Sequence, residues 1–211
     1  MGYTDNPEAI IFDLGGVIVN LDYGLTVDAL SQLAGRDISQ QYGQHRQAEI
    51  FSQYEIGAIT TADFRHGLRQ LLQLEGTDAA IDEAWCSLIL DFPSERIELI
   101  RQLGQHRRIF LLSNINELHL ATCDRKFIEA TGHAVGSLAE QFERAYYSHL
   151  VGDRKPNPSI FEQVITDNGL VPEKTLFLDD TAANLIGAQA VGLTTRLITP
   201  GQTIESLNLL P

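Results

Sequence analysis

Apolar and polar positions divide the chain into two folding styles. Residues 9–12, "AIIF", are an apolar run that stops at Asp13; Leu14, two glycines and a second apolar run follow. This predicts a short buried strand over 9–13. From about Tyr23 to Leu90 the spacing turns helical. "LTVDALSQLAG" ends on Gly35, "ITTADFRHGLRQLLQLEG" offers Thr60 or Thr61 as N-cap and Gly76 as its end, and "TDAAIDEAWCSLIL" is a further amphipathic segment closed by Pro93. From Ser94 helices and short β-rich runs alternate. The helix "SERIELIRQLG" leads to the strand "RIFLLS", and the helix "NELHLATCDRKFIEATG" to "AYYS". The helix "NPSIFEQVITDNG" leads to "TLFLDD", and "TAANLIGAQAVG" to "TTRLIT".

Strands separated by helices of this length imply βαβ crossovers. The predicted fold is α/β, a doubly wound parallel, Rossmann-like sheet with an inserted all-helical cap. Its core comes from two pieces, residues 1–20 and 94–211, with the helical block 21–93 between them. An insertion after the first strand emerges at the sheet edge where open α/β folds bind ligands, so it is well sited to act as a lid.

Composition narrows the partners. The chain is 44% hydrophobic and 20% charged, as expected of an ordinary soluble globular protein. Lys and Arg number 15 against 28 Asp and Glu, a net charge of -13. That acidity argues against nucleic acid or anionic membrane as partner. A small anionic substrate needs only a local patch or a metal. The start carries Asp5 and Glu8, the first basic residue is Arg36, and Asp13 interrupts the best apolar run. Neither a secretory signal nor a membrane span is expected. Cys86 and Cys123 lack metal-type spacing and read as reduced core thiols of a cytoplasmic protein.

Four polar features fall at strand ends: Asp13; Ser113 with Asn114; Lys155 in "GDRKPNPSIF"; and Asp179 with Asp180, followed by Asn184. Each has a bland reading, as turn former, helix cap, solvated lysine or helix start. In a parallel sheet, however, all four share one edge. Together they suit phosphoryl transfer. Clustered carboxylates call for a hard divalent cation such as Mg²⁺, and one carboxylate can act as nucleophile. Ser113 can donate to a phosphoryl oxygen, and Lys155 can supply a compact positive charge.

With "IFDLGGV", "LLSN", "RKPNPSIF" and "LFLDDTAANLIGA" in this order, the chain resembles the haloacid dehalogenase superfamily over essentially its full length. It looks like the subclass with a helical cap after the first strand. The resemblance implies that Asp13 is nucleophile and metal ligand. It implies that Ser113, Asn114 and Lys155 bind phosphate, with Lys155 also orienting Asp13. Asp180 and the Gly15 carbonyl would ligate Mg²⁺, with Asp179 and Asn184 in support.

Gly15 departs from the family pattern. Phosphatases of the family usually carry there a second Asp that protonates the leaving group; Gly15 keeps a carbonyl and loses the acid. That favours acidic leaving groups, and "FDLGGVIV" with "LLSN" is similar to bacterial phosphatases acting on sugar phosphates, including glucose-1-phosphate. The reading is thus a Mg²⁺-dependent phosphatase of a small phosphorylated metabolite. The alternatives are a metal-independent 2-haloacid dehalogenase and a catalytically weak module binding a phosphorylated ligand or a protein. His149, His119 and Asp22 are candidates to replace the missing acid. Tyr23, Tyr42, His45, Arg46, Tyr54, Phe64 and Arg65 are candidate cap contacts. Substrate identity and oligomeric state are not legible.

Overall fold

The structure, a computed structural model, describes residues 7–40, 42, 49–132 and 136–210. Five parallel strands form one sheet. In chain order they are β1 (Ala9–Phe12), β2 (Arg108–Ser113), β3 (Arg144–Tyr147), β4 (Thr175–Asp179) and β5 (Thr194–Leu197). Their spatial order is β3-β2-β1-β4-β5. β1 is central, with Phe12 level with Leu111 of β2 and Leu178 of β4. The chain winds outward from β1 in both directions. A crevice therefore opens beyond the carboxyl ends of β1, β2 and β4, where the helices leave towards opposite faces.

Both faces of the sheet are covered, so its central strands are apolar throughout rather than alternating. Ile10 and Phe12 pack on one face with α5 (Ser94–His106) and α6 (Glu117–Thr131), through Leu99, Leu103 and Phe127. Ala9 and Ile11 pack on the other with α8 (Pro158–Asn168) and α9 (Ala182–Ala190), through Phe161, Val164 and Ala188. Phe12 is fully buried, and its truncation to Ala would cost about 3–5 kcal/mol.

The described helices between β1 and α5 are α1 (Tyr23–Ala34), α2 (Glu49–Glu55), α3 (Thr61–Leu72) and α4 (Asp78–Cys86). Their apolar faces meet in a cluster of their own around Leu30, Tyr54, Phe64, Leu68, Ile81 and Trp85. The two linkers to this block run side by side. Leu21 bridges Ile89 in antiparallel sense, Asn20 N donates to Asp91 O at 3.0 Å, and Asp22 N donates to Leu88 O at 2.8 Å. No described helix is long and apolar enough to cross a membrane. Both cysteines are free.

Two helix ends differ from the sequence-based expectation. α3 starts at the expected Thr60, where Thr60 and Asp63 form a reciprocal capping box. It stops at Leu72 rather than running to Gly76. Gln73 adopts a left-handed conformation (φ 56°), which turns Leu74 back into the core. α6 is capped by Asn116, whose side chain accepts from His119 N at 3.0 Å, rather than by the Ser113–Asn114 pair. Asn114 is engaged with the Lys155 loop. A single helical turn, α7 (Ser148–Val151), precedes that loop and has no periodic signature in the sequence.

Candidate active site

The sequence-derived features gather at the carboxyl edge of the sheet: Asp13, Ser113 and Asp179–Asp180 at strand ends, and Lys155 on the loop after α7. β1 ends at Phe12 and Asp13 follows it, its backbone N–H donating to Leu178 O at 2.9 Å. The chain then turns tightly: Gly16 N donates to Val19 O at 2.9 Å and Ile18 N to Leu14 O at 2.8 Å. Gly16 has φ 72°, and a Cβ there would collide with the Asp180 carboxylate. Glycine thus permits both the left-handed turn and the close approach of Asp180, just beyond β4.

Lys155 is the hub. Its side chain is 1% exposed, and Nζ lies 2.8 Å from Asp13 Oδ1 and 2.7 Å from Asp179 Oδ2. Asn114 fixes the backbone beneath it. Asn114 Nδ2 donates to Lys155 O, and Lys155 N donates to Asn114 Oδ1, both at 2.9 Å. Asp179 is saturated on its other sides. Thr181 N donates to its Oδ1 at 2.7 Å, and Asn184 Nδ2 approaches both oxygens at 3.0–3.1 Å.

Asp13, Asp179 and Asp180 each present an oxygen within 4.8 Å of the others, the only such three-acid group among the described residues. With all three ionised, three carboxylates against one ammonium would leave two uncompensated negative charges. The acids register this. Burial, reinforced by Asp179 and opposed by Lys155, pushes Asp13 up to about 7. Burial, with repulsion from Asp179, also raises Asp180. Burial works against the charge on Lys155, yet Asp13 and Asp179 together hold its ammonium above the ordinary lysine value. A hard divalent cation fits this donor set: it prefers oxygen ligands and cancels the excess charge.

The group faces a cavity of about 420 Å³ lined by Asp13, Gly15, Ser113, Asn114, Lys155, Asp180 and Asn184, within the size range of small-ligand sites. Asp179 stands behind Lys155, fully buried. Of the stand-ins considered for an acid at position 15, only His119 lines the cavity. Its ring stacks on Trp85 at 4.9 Å and Nε2 lies 3.1 Å from Trp85 O; burial pulls its pKa down to about 4, so it is neutral near pH 7. His149 instead points Nδ1 at Ile115 O, 2.7 Å away. Asp22 caps α1 by accepting from Gly24 N.

Among the candidate contacts of the helical block, Tyr23 and Tyr42 line the cavity. Phe64 lies in the block's own core, Tyr54 bonds Thr61, and Arg65 pairs with Asp82 at 2.6 Å. His45 and Arg46 lie outside the described residues. Sequence reasoning missed Phe51, Ser52, Glu55 and Arg154, which also line the cavity. Arg154 had one available signal, its place next to Lys155. The other three had none, since only the docking of α2 brings them there.

Residues 7–192 match the family described as haloacid dehalogenase-like hydrolase. The chain is 30% identical over 187 residues to a D-ribitol-5-phosphate phosphatase of Bacteroides thetaiotaomicron, covering 88% of this chain and 89% of that protein. It is 28% identical over 187 residues to a sesquiterpene phosphatase of Aspergillus oryzae, covering 88% and 87% respectively. Among solved structures, a HAD family enzyme from Bacteroides thetaiotaomicron in complex with magnesium and inorganic phosphate superposes with a TM-score of 0.86. It shares 30% identity, covering 96% of this chain and 100% of that one.

Proposed function

The chain belongs to the haloacid dehalogenase-like hydrolases, and on that footing we propose that it is a Mg²⁺-dependent phosphatase of a small phosphorylated metabolite, with Asp13 as nucleophile. The observation that carries this reading is the buried Lys155 ammonium held between Asp13 and Asp179, with Asp180 beside them at the cavity floor. Relatives that act on or bind phosphorylated ligands support the reaction class.

In this reading Lys155 fixes Asp13 Oδ1, so the carboxylate is aimed without rotational freedom. Ser113, Asn114 and Lys155 receive the phosphoryl oxygens. An Asp13 oxygen forms a bond to phosphorus while the bond from phosphorus to the alcohol oxygen breaks. Because position 15 is glycine, the departing alkoxide takes its proton from solvent or is acidic enough to leave without one. Water then hydrolyses the aspartyl-phosphate and restores Asp13. Asp13, Asp180 and the Gly15 carbonyl would hold Mg²⁺, with Asp179 and Asn184 in support; when bound, the ion neutralises phosphate charge and orients it.

Residues 21–93 act as the cap and 1–20 with 94–211 as the core. The paired linkers at Leu21 and Ile89 are where the cap would pivot. Two free cysteines fit a reducing, cytoplasmic setting.

The test is phosphate release from p-nitrophenyl phosphate and a panel of sugar and polyol phosphates, with and without Mg²⁺. Asp13→Asn should abolish release. Activity that survives this substitution would overturn the assignment of the nucleophile.

A further inference from the structure

We propose that Ser52, Glu55 and Arg154 form the subsite that reads hydroxyl groups on the body of the substrate. The inference rests on the phosphatase reading for where the phosphate sits. The three side chains line the same cavity as Asp13 and Lys155. Arg154 Nη1 lies 2.7 Å from Glu55 Oε2 and 3.3 Å from Ser52 Oγ. Phe51, Trp85, Leu88 and Ile89 supply apolar surface to the same cavity. A few convergent polar groups in an apolar wall are how small-molecule sites set orientation and specificity. This trio supplies an acceptor carboxylate, a multi-donor guanidinium and a two-way hydroxyl, the complement of a chain of alcohols. The 2.7 Å contact on Glu55 Oε2 is an ion pair without hydrogen-bond geometry, so that oxygen keeps its capacity as an acceptor.

The competing role for the Glu55–Arg154 pair is a latch holding α2 on the Lys155 loop. Other contacts already fill that role. Ser148 Oγ donates to the Glu55 backbone carbonyl at 2.6 Å. Gly57, with φ 69°, packs so closely on the His149 carbonyl that a Cβ would clash. Docking is thus not left to the charged side chains, and these stay 33% (Arg154) and 31% (Glu55) exposed, open to a ligand. Burial raises the Glu55 pKa and Arg154 opposes the rise, which fits a charge kept at the site by its partner. Ser52 and Glu55 come from the helical block and Arg154 from the loop that carries Lys155. A polyol contacting all three would tie recognition of its hydroxyls to the position of the loop that holds Asp13.

The experiment compares ribitol 5-phosphate with n-pentyl phosphate, which has the same carbon count and no hydroxyls. Glu55→Gln and Arg154→Met should each lower kcat/KM for the polyol phosphate roughly tenfold or more, through KM, while n-pentyl phosphate changes by less than about threefold. Equal losses on both substrates, as a latch would give, or no loss on either, would overturn the proposal. Binding supplies an arm independent of turnover. In the Asp13→Asn protein, adding Glu55→Gln should weaken ribitol 5-phosphate binding roughly tenfold by calorimetry, with inorganic phosphate binding unchanged. No turnover of any phosphate by the wild type would defeat the phosphatase reading. The calorimetric comparison would still decide the subsite, since an unchanged affinity ratio, or no polyol phosphate binding, counts against it.

Discussion

Lys155 Nζ lies 2.8 Å from Asp13 Oδ1 in an ion pair whose lysine is almost wholly shut off from solvent. The same nitrogen holds Asp179. One buried cation thus prevents two acids from facing each other unpaired, and it sets the orientation of the proposed nucleophile.

Lys155→Met should therefore damage both stability and turnover. Breaking a buried pair by removing one partner costs about 3–5 kcal/mol, here at neutral pH and without metal. Turnover should fall by at least about a hundredfold, because a preorganised charge at the phosphate is gone. Urea unfolding and initial rates measure the two effects. A stability loss below about 1 kcal/mol would mean that the pair does not organise the site.

Mg²⁺ should raise Tm, since it binds the folded chain and not the unfolded one. The rise should be larger near about pH 8 than near about pH 5.5, because ligands must be ionised to bind metal and burial holds the Asp13 carboxyl up to about 7. The Asp13 contribution in the metal-free protein should run the opposite way. At the Asp13 carboxyl the folded state binds more protons than the unfolded one between about pH 4 and 7, so this group makes stability fall as pH rises through that window. Thermal melts with and without MgCl₂ at the two pH values check both signs. An equal Tm rise at both would contradict the role given to Asp13.

At Gly16 an alanine should be poorly tolerated. The left-handed conformation costs a non-glycine residue about 1–2 kcal/mol, and the new methyl must displace Asp180. The expected result for Gly16→Ala is lower stability together with weaker Mg²⁺ binding, read by titrating the Tm shift. Stability loss with unchanged Mg²⁺ affinity would separate Asp180 from the metal.

Gly15→Asp tests the missing acid. A Cβ at position 15 meets the Leu21 Cδ1 at 2.7 Å, the free end of a flexible side chain. The substitution should therefore need Leu21 to swing aside, and Gly15→Asp with Leu21→Ala should outperform Gly15→Asp alone. The gain should favour alkyl phosphates over p-nitrophenyl phosphate, whose leaving group needs no proton. Acid catalysis is worth about 10²–10⁴ when well placed, so a tenth of that range is readily seen in matched rates. An equal gain on both substrates would count against this account of Gly15.

His119 gives a test confined to stability. Burial pulls its pKa down to about 4, while an unfolded histidine titrates near about 6.5. Between these values the unfolded state binds more protons at His119, so this residue makes stability fall as pH drops from about 6.5 to about 4, by about 1–3 kcal/mol. His119→Phe keeps a ring against Trp85 and removes the titration. Asp13 acts with the opposite sign in the same window, so the difference between the two proteins isolates His119. Parallel stability curves would show that the ring is not held neutral by its surroundings.

The strand ends were legible because periodicity is a local property. An apolar run that stops at Asp13, and another that stops at Asp179, read as buried strands with polar tips. Parallel winding then puts all such tips on one edge. The resemblance carried by "LFLDDTAANLIGA" and "RKPNPSIF" named the same residues. Three things were decided only by the tertiary structure. α3 ends at Leu72 because Leu74 finds a core to enter, which no local rule announces. Asn114 serves the Lys155 backbone instead of α6 because the two loops lie side by side. Glu55 belongs to the cavity only because α2 docks beside Arg154. In sequence it is one acid among many on a helix. Patterning depends on neighbours a few residues apart and survives in the string of letters. The convergence of Glu55, Arg154 and Lys155 depends on how whole elements pack, so it exists only in the fold.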